Sequence, residues 1–180
     1  GEGPHFCFGA SVQEHTKDQA GAMLESFHGM FLKMVDLAIP TAAVVRGQCL
    51  GGGMELAIFC NWIFASPDAK LGQPEIQLAV FPPPASLILP MKVGQAAADH
   101  LCLSGESWGA EQAQSAGLVH EIAEDPMAAL DAFAAKHIVK KSASSLKFAV
   151  RAARTEFNET LRTKLPVVQK LYIEGLMESH

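Results

Sequence analysis

Charge is scarce in this chain of 180 residues: only 18% of it is Asp, Glu, Lys or Arg, and the formal net charge is −5. Lys140-Lys141 is the single basic pair, so there is no landing surface for the phosphates of a nucleic acid. The four cysteines, Cys7, Cys49, Cys60 and Cys102, form no C-x-x-C unit and lie in apolar surroundings. They read as reduced core thiols of a cytoplasmic protein rather than a disulfide framework. The seven histidines show no ligand spacing, so no metal site is expected. No apolar run approaches the roughly 18 residues of a membrane span. The opening Gly1-Glu2-Gly3-Pro4-His5 lacks the basic-then-apolar layout of a signal peptide. Neither G-x-G-x-x-G nor a P-loop lysine is present, which argues against a bound dinucleotide or nucleoside triphosphate. What remains is a 49% hydrophobic chain, long enough for a packed core.

Hydrophobic spacing divides the chain. Phe6-Cys7-Phe8 reads as the end of a buried strand, within a strand end and tight turn over Gly1–Val12. Met23, Leu24, Phe27, Met30, Phe31, Met34, Val35 and Leu37 follow a helical period, which predicts a helix over Ala20–Leu37 ended by Pro40. Thr41–Val45 and Trp62–Ala65 read as strands, with a helix over Gly51–Asn61 between them. Leu71–Val80 reads as a strand and loop, and Pro82-Pro83-Pro84 as a rigid kink without N–H donors. Helices are expected over Ala85–Val93, interrupted near Pro90, and over Ala96–Leu103 and Ala110–Ala116, the last two closed by Gly105 and Gly117. A strand over Leu118–Ile122 follows, then helices over Pro126–Ile138 and Ser142–Leu165, and a last one from Pro166 to Met177, with Leu161, Leu165, Val168, Leu171, Tyr172 and Leu176 on apolar faces of these last helices. Strands come first and helices accumulate at the end, an α/β plan. The expected division is an α/β core over 1–125 and a helical oligomerisation region over 126–180.

Two glutamates stand on separate glycine-flanked turns: Glu55 in Gly51-Gly52-Gly53-Met54-Glu55 and Glu75 in Leu71-Gly72-Gln73-Pro74-Glu75. A strand, a glycine turn and a helix together aim backbone N–H groups at negative charge. Two carboxyls beside such a turn can move protons next to a carbonyl. Each feature alone is weak. A glycine triplet is often a flexible loop, Glu55 suits the first turn of any helix, and Glu75 after Pro74 suits a surface turn.

The joint pattern is specific: Phe6-Cys7-Phe8-Gly9-Ala10, then Val45-Arg46-Gly47-Gln48-Cys49-Leu50-Gly51-Gly52-Gly53-Met54-Glu55-Leu56-Ala57, then Ala65-Ser66, then Lys70-Leu71-Gly72-Gln73-Pro74-Glu75. Leu103-Ser104-Gly105, Ala110-Glu111-Gln112-Ala113 and Ala116-Gly117-Leu118-Val119 extend it. With these motifs the chain resembles the crotonase superfamily, and within it the enoyl-CoA hydratases, over nearly its whole length. The resemblance implies a ββα superhelix with a C-terminal helical trimerisation region, in a homotrimer or a dimer of trimers. It also implies an acyl-coenzyme A substrate and no further cofactor. Residue by residue, it implies an oxyanion hole from the N–H groups of Ala10 and Gly52. Glu55 and Glu75 become catalytic carboxyls, with Glu55 activating water and Glu75 delivering the carbon-bound proton. Phe8, Gly9, Gly51, Phe81 and Pro83 become substrate contacts.

The chain departs from that pattern in three ways. Ser11 stands where most hydratases carry aspartate. Phe81-Pro82-Pro83-Pro84-Ala85-Ser86 replaces a glycine-rich wall of the acyl pocket. The chain also begins at the oxyanion turn, so strands that precede it in the family and a C-terminal segment are expected to lie outside it. The proline wall is similar to that of dienoyl-CoA hydratases, which hydrate cyclohexa-1,5-diene-1-carboxyl-CoA to 6-hydroxycyclohex-1-ene-1-carboxyl-CoA. A linear enoyl-CoA is the other substrate, and a plain surface turn the other reading of the prolines. Rival functions on the same fold are enoyl-CoA isomerase, acyl-CoA thioesterase or decarboxylase, and a non-catalytic scaffold.

Overall fold

A computed structural model describes residues 3–11, 16 and 18–179. Gly1, Glu2 and Val12, part of the expected opening turn, lie outside the described residues. Helix α1 (Ala20–Leu37) has the bounds its periodicity predicts. It buries Ala20, Leu24, His28, Phe31 and Val35 on one face, and ends where Ala38 turns left-handed at φ 50° ahead of Pro40.

Two strands follow, β1 (Ala42–Val45) and β2 (Gln48–Leu50), then helix α2 (Gly52–Phe59). The next turn of the chain repeats the order with β3 (Trp62–Ala65), β4 (Lys70–Gly72), a 3-10 turn over Pro74–Leu78, and helix α3 (Pro83–Val93). Strand β1 pairs β3 in parallel, and β2 pairs β4 in parallel, so each turn adds one strand to each of two sheets. That is a ββα superhelix. Helix α4 (Gln95–Ser104), strand β5 (Ser107–Gly109), helix α5 (Ala110–Ser115) and strand β6 (Glu121–Ile122) come next. Strand β5 closes the second sheet antiparallel to β4, and β6 extends the first in parallel with β3. The short strands β2 and β5 were not expected from the sequence. The strand expected over Leu118–Ile122 pairs only at its last two residues.

Three further expectations are corrected. Pro82-Pro83-Pro84 is not an isolated kink. Pro83 and Pro84 form the first turn of α3, where their missing N–H groups leave no helical bond unmade, and all three prolines are buried. Nor does Pro90 interrupt α3, which runs through it while held against α2, α4 and the helix over Thr155–Lys170. The long helix expected over Ser142–Leu165 is two, α7 (Ala143–Ala153) and α8 (Thr155–Lys170). They part at Arg154, whose guanidinium donates to the Phe59 carbonyl and lies 3.9 Å from the Phe157 ring centroid. Pro166 falls inside α8, and a π-helical turn over Leu171–Leu176 follows. Helix α6 (Pro126–His137) precedes α7 and is capped by Asp125.

The main core joins Phe31, Val45, Met54, Ile58, Ile63, Leu71, Ile88 and Leu101 with Leu161 from α8. Helix α8 is therefore part of the core, whereas α7 buries none of its residues. No helix among the described residues is long and apolar enough to cross a membrane. Because Leu161 is fully buried in the main core, Leu161→Ala is expected to cost about 2–5 kcal/mol in urea unfolding. A loss below about 1 kcal/mol would show α8 to be dispensable to the core.

Candidate active site

Three glycine turns lie side by side because three chain segments run in parallel. Cys7 bridges Cys49 in parallel, and β2 pairs β4 with Leu50 opposite Gly72. Their C-terminal ends are stitched laterally: Leu50 N–H donates to the Cys7 carbonyl at 2.9 Å, and Gly51 N–H to the Gly72 carbonyl at 3.0 Å. The residues that emerge there are Phe8-Gly9-Ala10, Gly51-Gly52-Gly53 and Gln73-Pro74-Glu75. Ligands of α/β proteins gather at this end of the strands.

The first two turns touch. Gly9 has φ 89°, and a Cβ added there would lie 2.8 Å from the Gly52 nitrogen. A Cβ on Gly52 would lie 3.7 Å from the Ala10 nitrogen. The amides of residues 10 and 52 are thus neighbours, the second of them at the N-terminus of α2, where backbone donors are free and the helix dipole is positive.

Glu55, in the first turn of α2, is 3% exposed. Its Oε1 accepts from Ala85 N–H at 2.9 Å. Ala85 is the third residue of α3, and after Pro83 and Pro84 it carries that helix's first N–H. Burial drives the Glu55 pKa well above the usual carboxyl value, the nearby Glu75 charge pushes it further, and the Ala85 bond works against both. Glu75 sits in the 3-10 turn, and burial lifts its pKa to about 7. Its carboxyl abuts Gly51: a Cβ there would lie 2.8 Å from Glu75 Oε1, and Gly51 itself has φ 54°, so glycine is required twice over. Gln73, fully buried, sets its amide against both Glu75 oxygens, at 3.1 and 3.0 Å, and donates to them when the amide is turned to put its nitrogen toward the carboxyl.

These groups face one cavity of about 100 Å³. All nine residues singled out from the sequence line it: Phe8, Gly9, Ala10, Gly51, Gly52, Glu55, Glu75, Phe81 and Pro83. Of the apolar residues near the two acids in sequence, Leu78 and Phe81 line the cavity, while Met54, Leu56 and Ile76 do not. The apolar wall comes instead from Met23, Leu24 and Phe27 of α1, from Val80, and from Tyr172 in the π-helical turn. Sequence reading placed Tyr172 only on an apolar helix face and gave Gln73 no role. Gln73, two residues before a catalytic candidate, was the one with a local signal.

A family model described as enoyl-CoA hydratase/isomerase matches residues 1–179. The chain belongs to that family. It is 52% identical to a cyclohexa-1,5-dienecarbonyl-CoA hydratase of Thauera aromatica over 179 residues, covering 99% of this chain and 69% of that protein. It is 34% identical to a probable enoyl-CoA hydratase of Mycobacterium bovis, covering 96% of this chain and 68% of the relative. A solved enoyl-CoA hydratase/isomerase from Mycobacterium paratuberculosis shares the fold, with a TM-score of 0.90 at 21% identity, over 98% of this chain and 73% of that one.

In this family member the buried acids oppose stability. Glu75 ordinarily titrates at 4.5 but at about 7 in the fold. The folded state therefore binds the proton more tightly, and stability is lost as pH rises from 4.5 through 7. Glu75→Gln removes that ionisation. It is expected to raise stability at pH 8 by up to about 3 kcal/mol while changing it little at pH 4.5. Thermal unfolding at the two pH values checks this; an equal shift at both would refute it.

Proposed function

We propose that this chain carries the active site of a hydratase that adds water to an α,β-unsaturated acyl-CoA thioester. The observation that carries the reading is the convergence of Glu55, Glu75 and the neighbouring Ala10 and Gly52 amides on one cavity. Water oxygen bonds to the carbon β to the thioester, the C=C pair moves toward the carbonyl, and negative charge collects on the thioester oxygen. The N–H groups of residues 10 and 52 hold that oxygen; one such donor is typically worth about 3 kcal/mol. Water loses a proton to one carboxyl, and the other returns a proton to carbon, so the pair ends with the same proton count. Coenzyme A enters as part of the substrate.

Hydration needs one ionised and one protonated carboxyl. The pair supplies that state at neutral pH, because burial raises both carboxyls, Glu55 well above its usual value and Glu75 to about 7, and one proton is shared between them. The division implied by family resemblance, Glu55 activating water and Glu75 delivering the proton to carbon, is the one proposed.

The favoured acyl group is the cyclic diene. The 52% identity to the Thauera protein supports it, as does a cavity wall built by buried Pro82 and Pro83 and by Phe81, stiff and apolar against a flat ring. Hydroxide would join C2 of the ring, charge would spread through the thioester to C5, and protonation at C5 would leave one double bond conjugated to the carbonyl. Renumbered, the product is 6-hydroxycyclohex-1-ene-1-carboxyl-CoA.

We expect the protein to hydrate cyclohexa-1,5-diene-1-carboxyl-CoA faster than crotonyl-CoA, followed by loss of conjugated-thioester absorbance. Glu75→Gln and Glu55→Gln should each lower the rate at least about 100-fold. The parent kcat/KM should rise with pH through an acid limb near 7. Turnover of neither thioester, or a kcat/KM flat from about pH 5 to 9, would defeat the reading.

We also propose that residues 126–180 mediate assembly into a homotrimer or a dimer of trimers. Helix α7 buries nothing in its own chain and presents Phe148 at 66% exposure, with Val139 just before it at 74%. Sedimentation velocity should return a multiple of three chains, and a single-chain mass would refute the assignment. The four free thiols support a reducing setting, the cytoplasm.

A further inference from the structure

Tyr172 is buried to 1% exposure, and its hydroxyl meets no hydrogen-bond partner among the described residues. The two other buried side-chain atoms in that condition, His28 Nε2 and Trp108 Nε1, belong to residues outside the cavity. Tyr172 lines it, as do Glu55 and Glu75. Its ring lies 5.2 Å from the Phe81 ring, tilted by 60°, and shares a buried cluster with Ala20, Leu24 and Val80.

A phenylalanine would fill the same ring site. The hydroxyl instead adds a buried polar group without a partner, which opposes folding. The side chain projects from the π-helical turn Leu171–Leu176, an irregularity that recurs at functional sites. The wall around it is apolar: Met23, Leu24, Leu78, Val80 and Phe81. Burial raises its pKa to about 12, with smaller contributions from the Glu75 and Glu55 charges acting through space, so it remains a proton-bearing donor.

The hydration reading says which ligand atom answers it. That reaction gives the acyl-CoA two oxygens near the chemistry, the thioester oxygen and the oxygen of the added water. The first belongs to the Ala10 and Gly52 amides. The second forms its bond within reach of the two acids, the groups whose charges Tyr172 feels.

We propose that the Tyr172 hydroxyl contacts substrate and determines specificity, hydrogen-bonding the oxygen that water contributes to the acyl group. The assignment rests on the hydratase reading and deepens it. A reaction that only shifted a double bond would place no oxygen there.

Tyr172→Phe tests this, because it deletes the hydroxyl and keeps the ring. Two thioesters that lack the α hydrogen needed to lose water serve as probes, 2-hydroxy-1-methylcyclohexane-1-carbonyl-CoA and 1-methylcyclohexane-1-carbonyl-CoA, with binding read by calorimetry. The variant should bind the hydroxylated probe roughly tenfold more weakly than the parent, a usual effect of losing one hydrogen bond, and the probe without the hydroxyl within about twofold. Its melting temperature should hold or rise, since an unpartnered hydroxyl has been removed. An unchanged ratio of the two dissociation constants would overturn the proposal. So would a fall in melting temperature with equal weakening of both probes, which would mark the hydroxyl as structural. The two failures are separable: a parent that hydrates no unsaturated thioester sinks the hydratase reading, whereas an active parent with an unchanged probe ratio sinks only Tyr172.

Discussion

The bond from Gly51 N–H to the Gly72 carbonyl, at 3.0 Å, is the constraint on which the cavity depends. It locks the turn carrying Glu55 beside the turn carrying Glu75, twenty positions further along the chain. The same register sets Cys49 opposite Leu71, both fully buried. A slip of one residue would turn Leu71 out of the core and carry the Glu75 turn away from Gly51. Apolar burial thus selects the register, and the register assembles the chemistry. The main core and the site cannot be varied independently.

That dependence has an energetic counterpart. Two carboxyls withdrawn from water and facing one another oppose folding. The fold answers with a few aimed donors, Ala85 N–H on Glu55 and the Gln73 amide on Glu75, and with a proton left on the pair at neutral pH. Helix α2 contributes at both ends. Its N-terminus faces the cavity, while at its C-terminus Lys92 Nζ donates to the Cys60 carbonyl at 3.0 Å and Arg154 donates to that of Phe59. Cations there complement the negative end of the helix dipole. The surrounding residues Met54, Ala57, Ile58 and Phe59 are all buried, so the helix is apolar around most of its circumference.

Legibility in the sequence followed how local each cause is. The bounds of α1 and β3 could be read because apolar period and proline or serine breakers are written into the adjacent residues. Strands β2 and β5, three residues each, are too short to show a period. The break between α7 and α8 has no glycine or proline to announce it, because its cause is Arg154 reaching a carbonyl 95 residues earlier. At the site, the acids and glycine turns were legible since each belongs to a compact motif. Tyr172 was not. Its spacing with Leu161, Leu165 and Leu176 reads as an ordinary core stripe, and only the path of the chain after α8 brings it to the cavity. The contribution of Ala85 was equally hidden, being a backbone donor that exists only once α3 has formed.

The proline turn joins these threads. A helix N-terminus ordinarily presents several unpaired N–H groups, and a carboxyl placed among them is held ionised. In α3 the first two residues, Pro83 and Pro84, have none to offer, so Glu55 receives a single donor, from Ala85. One donor orients the carboxyl without overcoming the burial that raises its pKa. A glycine-rich turn at the same place would add competing donors and draw the Glu55 pKa down. The prolines therefore do two things at once: they stiffen the wall of the cavity, and they limit the donors that would hold Glu55 ionised.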